Sequence, residues 1–296
     1  MRLPAVTVAL AACHAGATGP ATLVALRGAC PAAQIWNGSA CVATGDAPAK
    51  IEAGKQAIAA LKMADAKSAL DAAEKAGPLD HDANVTLWEQ RGIAAAYVED
   101  EASAKSAFDM MLALDPGHFL SYNLSPKATL VFEKVRDETR TRPAPALDVN
   151  WSHGSKVGDP VPLDIEVLAD PKQFLRKATL FVRTRGDTSW RAADVSLDAP
   201  GTDRRLLLPP VSATKSISLE LYLRAYDDHG NEVLTWADPT RPREIPLRYD
   251  PPPAWYRKWW VITLAASAVA IATGVTVYEL TVSPPDKIGG TVGTAR

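Results

Sequence analysis

Cys30 and Cys41 carry the most directly readable chemistry in this sequence. Between them runs Pro31-Ala32-Ala33-Gln34-Ile35-Trp36-Asn37-Gly38-Ser39-Ala40. Asn37-Gly38 is a turn dipeptide that lets the chain double back and bring the two thiols together. Closing a loop of this size stabilises by roughly 3 kcal/mol on the chain-entropy model, provided the compartment is oxidising. Free thiols or half of a metal site are the alternatives, but no further cysteine or nearby histidine pair completes a zinc set. The histidines, His14, His81, His118, His153 and His229, are scattered, and no two have metal-ligand spacing on one helical face. Asp170, Asp187, Asp194, Asp198 and Asp227 fall at strand ends and turns, where aspartate serves local hydrogen bonding, and no calcium-loop spacing joins them. No nucleophile–base signature or phosphate loop is present, so a non-enzymatic protein without cofactor or metal is expected. A formal net charge of −2 supplies no basic field for nucleic acid.

The third cysteine sits in a different context. Met1-Arg2 precedes an uncharged stretch from Leu3 to Ala12, the shape of a short secretory leader over residues 1–12. Leu10-Ala11-Ala12-Cys13 resembles the lipobox of bacterial lipoproteins, which implies lipidation of Cys13 after cleavage. Export would make the compartment oxidising and favour the Cys30–Cys41 disulfide.

The elements around these residues divide by composition. Alanine dominates the first half, whereas β-branched residues and arginine dominate residues 147–249, so helices are expected first and strands later. Residues 13–46 read as a linker that carries the cysteine loop. Residues 47–142 hold two related units. The second contains Trp88, Gly92, Ala104, Phe108 and Pro116, and the first echoes it at Gly54, Ala66, Leu70 and Pro78. In both, glycine is followed twelve residues later by alanine, then four later by a large apolar residue, then eight later by proline. Gly54 and Gly92 let a second helix approach, Ala66 and Ala104 do the same from the second helix, and Leu70 and Phe108 fill the space between. Pro78 and Pro116 cannot continue the second helix and help to end it.

This pattern resembles the tetratricopeptide repeat, with Trp88, Gly92, Ala104, Phe108 and Pro116 at that family's spacing. The resemblance implies helical hairpins that offer a concave protein-binding surface. Residues 79–84 contain about four extra residues, and the first unit has Lys50 in place of a tryptophan, so the stack departs from a regular array. Ser125-Pro126 starts a further helix, with Leu130, Val131 and Val135 expected as its apolar stripe. It reads as a cap over the last unit.

A linker over 143–146 leads to a β domain over 147–250. Strand-like runs are Leu147–Trp151, Val161–Leu168, Ala178–Arg185, Trp190–Leu197, Arg205–Leu208, Ile217–Tyr226, Glu232–Trp236 and Glu244–Tyr249. The odd positions from Ile217 to Ala225 are apolar and are expected to face the core. Asp227-Asp228-His229-Gly230-Asn231 reads as a hairpin loop. This many short strands predict an immunoglobulin-like sandwich. Trp151, Trp190 and Trp236 serve as packing residues or, on the sharper reading, as a sugar platform.

After Pro251-Pro252-Pro253, an uncharged run from Trp259 to Tyr278 is long enough for one hydrocarbon core, giving a transmembrane helix over 255–280. Residues 281–296 form a tail rich in Gly, Pro and Thr that predicts disorder. Arg241, Arg243, Arg248, Arg257 and Lys258 precede the helix and only Lys287 and Arg296 come after it, which favours a cytoplasmic main domain. The leader and the cysteine pair favour the opposite. A working leader commits the domain behind it to export, so the exported arrangement is expected.

The expected fold class is therefore α+β and multidomain: tetratricopeptide-like hairpins, an immunoglobulin-like β-sandwich and a single C-terminal transmembrane helix. The order of pieces resembles a group of myxobacterial envelope proteins, on Cys30-Pro31, Trp36-Asn37-Gly38, Cys41-Val42, Ser125-Pro126-Lys127, Phe132-Glu133 and Trp259-Trp260-Val261. That resemblance implies no known activity. The expected role is a scaffold in the bacterial inner membrane, single-pass, with its main domains periplasmic and a lipid on Cys13, that binds a protein or peptide partner. A glycan-binding module built on the sandwich is the alternative.

Overall fold

Helix-forming, alanine-rich sequence gives way to strands at residue 146 in the computed structural model, which describes residues 21–31, 34–36, 40–43, 45–121, 123–197, 204–251 and 257–282. The leader, Cys13, the Asn37-Gly38 turn, Asp198 and the tail from Ser283 lie outside the described residues. The chain forms two units, Met1–Tyr249 and Asp250–Arg296.

In the first unit, helices α1 (Ala47–Ala59) and α2 (Met63–Lys75) form one hairpin, and α3 (His81–Tyr97) and α4 (Glu101–Leu114) form a second. Helix α5 (Pro126–Thr139) packs on α3 and α4. Side-chain caps start the later helices: Asp80 accepts from the Ala83 N–H at 2.8 Å, Asp100 from Ser103 at 3.1 Å, and Ser125 from Lys127 at 3.3 Å. Each hairpin turns at a residue with positive φ, Leu61 (58°) and Glu99 (62°), at corresponding places in the two units.

Close approach at the glycines is physical. A Cβ on Gly54 would lie 2.7 Å from Leu70 Cδ2, and one on Gly92 would lie 2.4 Å from Phe108 Cε1. Ala66, Leu70, Ala104 and Phe108 are fully buried. Phe108 meets Phe132 of α5 edge-on, with ring centroids 5.6 Å apart. Pro78 and Pro116 come just after the ends of α2 and α4. Trp88 is half-buried on α3, and its indole N–H donates to Asn84 Oδ1 at 3.1 Å. One expectation on α5 needs correction. Leu130 is 72% exposed, and the buried stripe is Ala128, Phe132 and Val135. Residues four and seven beyond Ala128 share its face, whereas two residues beyond turns to the opposite side.

The strands are β1 (Thr22–Leu23), β2 (Arg27–Gly28), β3 (Gln34–Trp36), β4 (Cys41–Ala43), β5 (Ala146–Trp151), β6 (Val161–Ala169), β7 (Lys177–Thr184), β8 (Arg191–Ser196), β9 (Arg204–Leu208), β10 (Ile217–Tyr226), β11 (Glu232–Trp236) and β12 (Arg243–Leu247). One sheet has the order β1-β9-β6-β5 and the other β11-β10-β7-β8-β2, with β12 also paired to β10. Inward residues such as Val149, Leu163 and Ile165 from the first sheet and Leu180, Leu221 and Leu223 from the second join one apolar cluster. The odd positions Leu219, Leu221, Leu223 and Ala225 of β10 do lie in it, but Glu220 and Tyr222 on the opposite face are buried as well.

Residues 13–46 are more than a linker where they are described. Strand β1 pairs parallel with β9, and β2 pairs antiparallel with β8, so residues 22–28 cross from the edge of one sheet to the edge of the other. They cover part of two open edges that would otherwise offer unpaired backbone groups. Cys30 and Cys41 are disulfide-bonded beside the β3–β4 hairpin, and Trp36 of β3 lies under the Arg27 guanidinium of β2 at 4.3 Å.

In the second unit, α6 (Trp259–Val282) contains a 21-residue stretch, Trp259–Glu279, with mean hydropathy 1.9 and no buried residue. It is long and apolar enough to cross a membrane, about 30 Å at the helical rise. The hydroxyls of Thr263, Ser267, Thr273, Thr276 and Thr281 each donate to a carbonyl four residues back. These serine and threonine hydroxyls therefore need no water, as a hydrocarbon environment demands.

Candidate functional site

Two features of the first unit go beyond packing: a joint between helices and sheets, and a groove in the helical part. The joint uses residues 79–84. The Leu79 N–H donates to Asn231 Oδ1 at 3.0 Å, and the Glu232 N–H donates to the Leu79 carbonyl at 2.8 Å. Buried Asn84 donates from Nδ2 to the Glu232 carbonyl at 3.4 Å while accepting from Trp88. Asp227 shapes the opposing loop by accepting from the His229 and Asn231 backbone N–H groups and the Asn231 side chain. The extra residues at 79–84 are therefore where the β10–β11 hairpin docks.

A second contact closes the joint from α4. Asp109 accepts from Arg142 Nη1 at 2.6 Å and from Lys172 Nζ. Partial burial pushes the Asp109 carboxyl up, but hydrogen bonds and charge from Lys172 and Arg142 outweigh it and hold the carboxyl below its ordinary 3.8. A carboxyl with a lowered folded pKa stabilises fully above its unfolded value, and this contribution is lost as pH falls through the folded value. Asp109→Asn is expected to lower the urea midpoint at pH 7 and to show a smaller deficit near pH 2, where protonation of the unfolded chain has begun to remove the contribution of the charge. Equal deficits at both pH values would show that the charge is not what Asp109 contributes.

The groove lies between α2 and α4, with α3 as its floor, and encloses a cavity of about 420 Å³. The floor is Trp88, Arg91, Ala94, Ala95 and Val98, and the walls are Met63, Ala64, Lys67, Leu70 and Asp71 on one side and Asp100, Ser103, Ser106 and Ala107 on the other. It opens between the second helices of the two hairpins, rather than on a surface made by their first helices. Its central cation is already paired: Arg91 binds Asp71 and, at 2.8 Å, Glu74, and lies over the Trp88 ring at 5.0 Å. Of the signature positions, Trp88 and Leu70 line this groove. Gly54, Gly92, Ala66, Ala104 and Phe108 are buried packing.

The outer face of the larger sheet holds a second concentration of aromatic and charged groups. Phe181 stacks on Tyr222 at 4.5 Å, Trp190 meets Tyr222 edge-on at 4.7 Å, and Arg183 lies over Trp190 at 4.2 Å while its Nε donates to Glu220 at 2.6 Å. Arg224 pairs with Glu232 at 3.6 Å, and Arg27 with Asp194 at 2.8 Å. Burial raises the Tyr222 phenol and pushes Tyr226 up to about 12. Trp236 donates its N–H to Asp148 at 3.2 Å and lies beneath Arg243 at 5.9 Å. Trp151 is half-buried against the core.

Among the described residues, Asp227, Asp228 and His229 place ligand-type atoms close together. The Asp227 oxygens already serve the loop, and His229 Nδ1 lies 2.8 Å from Asp228. His118 sits 3.3 Å from Glu89 and 3.5 Å from Asp115. Asp170 braces a turn by accepting from the Phe174 and Leu175 N–H groups at 2.8 and 2.9 Å.

No protein-family model matches the chain, and no curated protein matches it. Among solved structures it is similar to a cohesin module from a Clostridium perfringens family 33 glycoside hydrolase, at 12% identity over 36% of this chain and 96% of that module, with a TM-score of 0.22. A score that low carries no argument about fold or function.

Proposed function

We propose that the chain is a non-enzymatic, membrane-anchored scaffold of the bacterial envelope that holds a protein or peptide segment against its helical hairpins. The observation that carries this reading is the α2–α4 groove, a largely apolar trough with Ala94 and Ala95 in its floor between Trp88 and Val98, and with Arg91 held by Asp71 and Glu74. On this reading the hairpins are a short, irregular tetratricopeptide array, as the glycine–alanine–aromatic pairing supports. The two sheets are an immunoglobulin-like sandwich that carries the array on a stiff joint. Helix α6 is the anchor, in the inner membrane, and the first unit lies in the periplasm, where the Cys30–Cys41 bond persists. The leader-like start and Cys13 fit a lipoprotein of the kind found in the myxobacterial envelope group.

A glycan platform on the sandwich has less support. A sugar stacks on a free aromatic face, and Arg183 already covers that of Trp190. The Trp236 indole N–H is used by Asp148.

Ala95→Trp puts a large ring on the groove floor while leaving every ion pair in place. Full chain purified in detergent from its own envelope should recover its protein partner about tenfold less well with this substitution, with an unchanged thermal midpoint. Equal recovery by both forms would remove the groove as the binding site.

A further inference from the structure

We propose that the groove accepts the apolar face of one α-helix from a partner protein, laid along α3. This rests on the protein-binding reading above and adds the form of the ligand.

Three stripes converge on the trough, each with helix-packing spacing. Met63, Lys67 and Leu70 lie on α2, Trp88, Arg91 and Ala95 on α3 with Val98 just past its end, and Ser103, Ser106 and Ala107 on α4. Residues three, four and seven apart occupy one helical face, so each helix presents a ridge and groove to the same space. Helices α2 and α4 both pack on α3, leaving between them a channel walled by helices on three sides. From Trp88 to Val98 the floor runs about 15 Å, three turns of an inserted helix. Ala94 and Ala95, between Trp88 and Val98 in the floor, allow close approach of the axes.

Backbone chemistry separates a helix from an extended segment. The walls are helices, whose N–H and C=O groups bond within their own turns and offer no edge to a strand. An extended peptide would bury unpaired backbone groups there, whereas a helix satisfies its own.

Charge argues for an apolar face. Arg91 is held by Asp71 and Glu74. Asp100 caps α4 through Ser103, and its carboxyl is kept below the ordinary range by that hydrogen bonding and then by the charge of Lys67. With Arg91 paired and Asp100 occupied by the helix cap, the trough complements a largely uncharged stripe flanked by polar residues.

The test uses the full chain in its native membrane. Benzoylphenylalanine replaces Ala64, Val98 or Ser103 in separate variants, with exposed Glu138 as the control position. After irradiation the attachment points are mapped by mass spectrometry, and circular dichroism checks that each variant keeps its helix content. The expected result is attachment to one partner segment at residues spaced three, four or seven apart and mostly apolar, reduced about tenfold when Ala95→Trp is added. Attachment at every second residue, to scattered loops, or to a second copy of this chain would overturn the helix and leave protein binding standing. Attachment only to lipid, or none at any groove position, would overturn both this inference and the protein-binding reading on which it rests.

Discussion

Phe108→Ala is expected to lower the unfolding free energy of the first unit by about 3–5 kcal/mol, read as a shift in the urea midpoint of the helical circular dichroism signal. The ring is fully buried. On one side it lies over Gly92, whose missing Cβ is the space the ring fills, and on the other it meets Phe132 edge-on. Glycine has no side chain to move into the vacancy, and Phe132 is itself 1% exposed and fixed by the α5 packing. The cavity should therefore persist, and a persistent cavity adds to the lost transfer energy. Phe108→Leu leaves a smaller void and should cost clearly less. The same logic predicts coupling: Gly92→Ala alone forces the ring aside, whereas Gly92→Ala with Phe108→Leu should destabilise less than the two single changes combined. A loss below about 1 kcal/mol for Phe108→Ala would mean that the hairpins do not depend on this glycine–aromatic seat.

That seat is legible in the sequence because it depends on short-range spacing. Gly54 with Leu70, and Gly92 with Phe108, are separated by the same interval, and the matching turns at Leu61 and Glu99 bring both pairs into register. The strands from Ala146 to Leu247 are legible for a similar reason, since alternation such as that of Ile217–Tyr226 is a local signal. So is the apolar run of α6.

The illegible features depend on distant partners. Thr22–Leu23 and Arg27–Gly28 are too short to show a period, and only the open edges of β9 and β8 make them strands. The inserted residues at 79–84 look like irregularity in a repeat, because nothing local says that Asn231 and Glu232 dock there. Asp109 reads as an ordinary surface residue of a helix until Arg142 and Lys172 converge on it. Burial of Glu220 and Tyr222 comes from cross-strand neighbours, Arg183 and Phe181, that pairing register alone supplies. The groove has a faint signal in Ala94-Ala95, small side chains where a packed interface would be larger. Recognising it as a trough requires knowing that α2 and α4 flank it. Leu130 goes astray for a purely local reason: grouping it with Val131 ignores the angular step that puts Ala128, Phe132 and Val135 together.

The central claim is an anchored scaffold held outside the cytoplasm, and two physical arguments bear on it from opposite sides. The Cys30–Cys41 bond calls for an oxidising compartment. Arg241, Arg243, Arg248, Arg257 and Lys258 ahead of α6, against Lys287 and Arg296 after it, favour keeping the first unit inside. Single cysteines at Ser152, which is exposed, and at Thr291 decide between them. The native pair can stay, because the unsubstituted chain gives the background from Cys13, Cys30 and Cys41. In intact cells, a thiol reagent that crosses the outer but not the inner membrane should label Ser152→Cys strongly and Thr291→Cys only after the cells are permeabilised. The reverse pattern would contradict the account: the scaffold would face cytoplasmic partners, the arginines ahead of Trp259 would set the topology, and the disulfide would not persist in the cell.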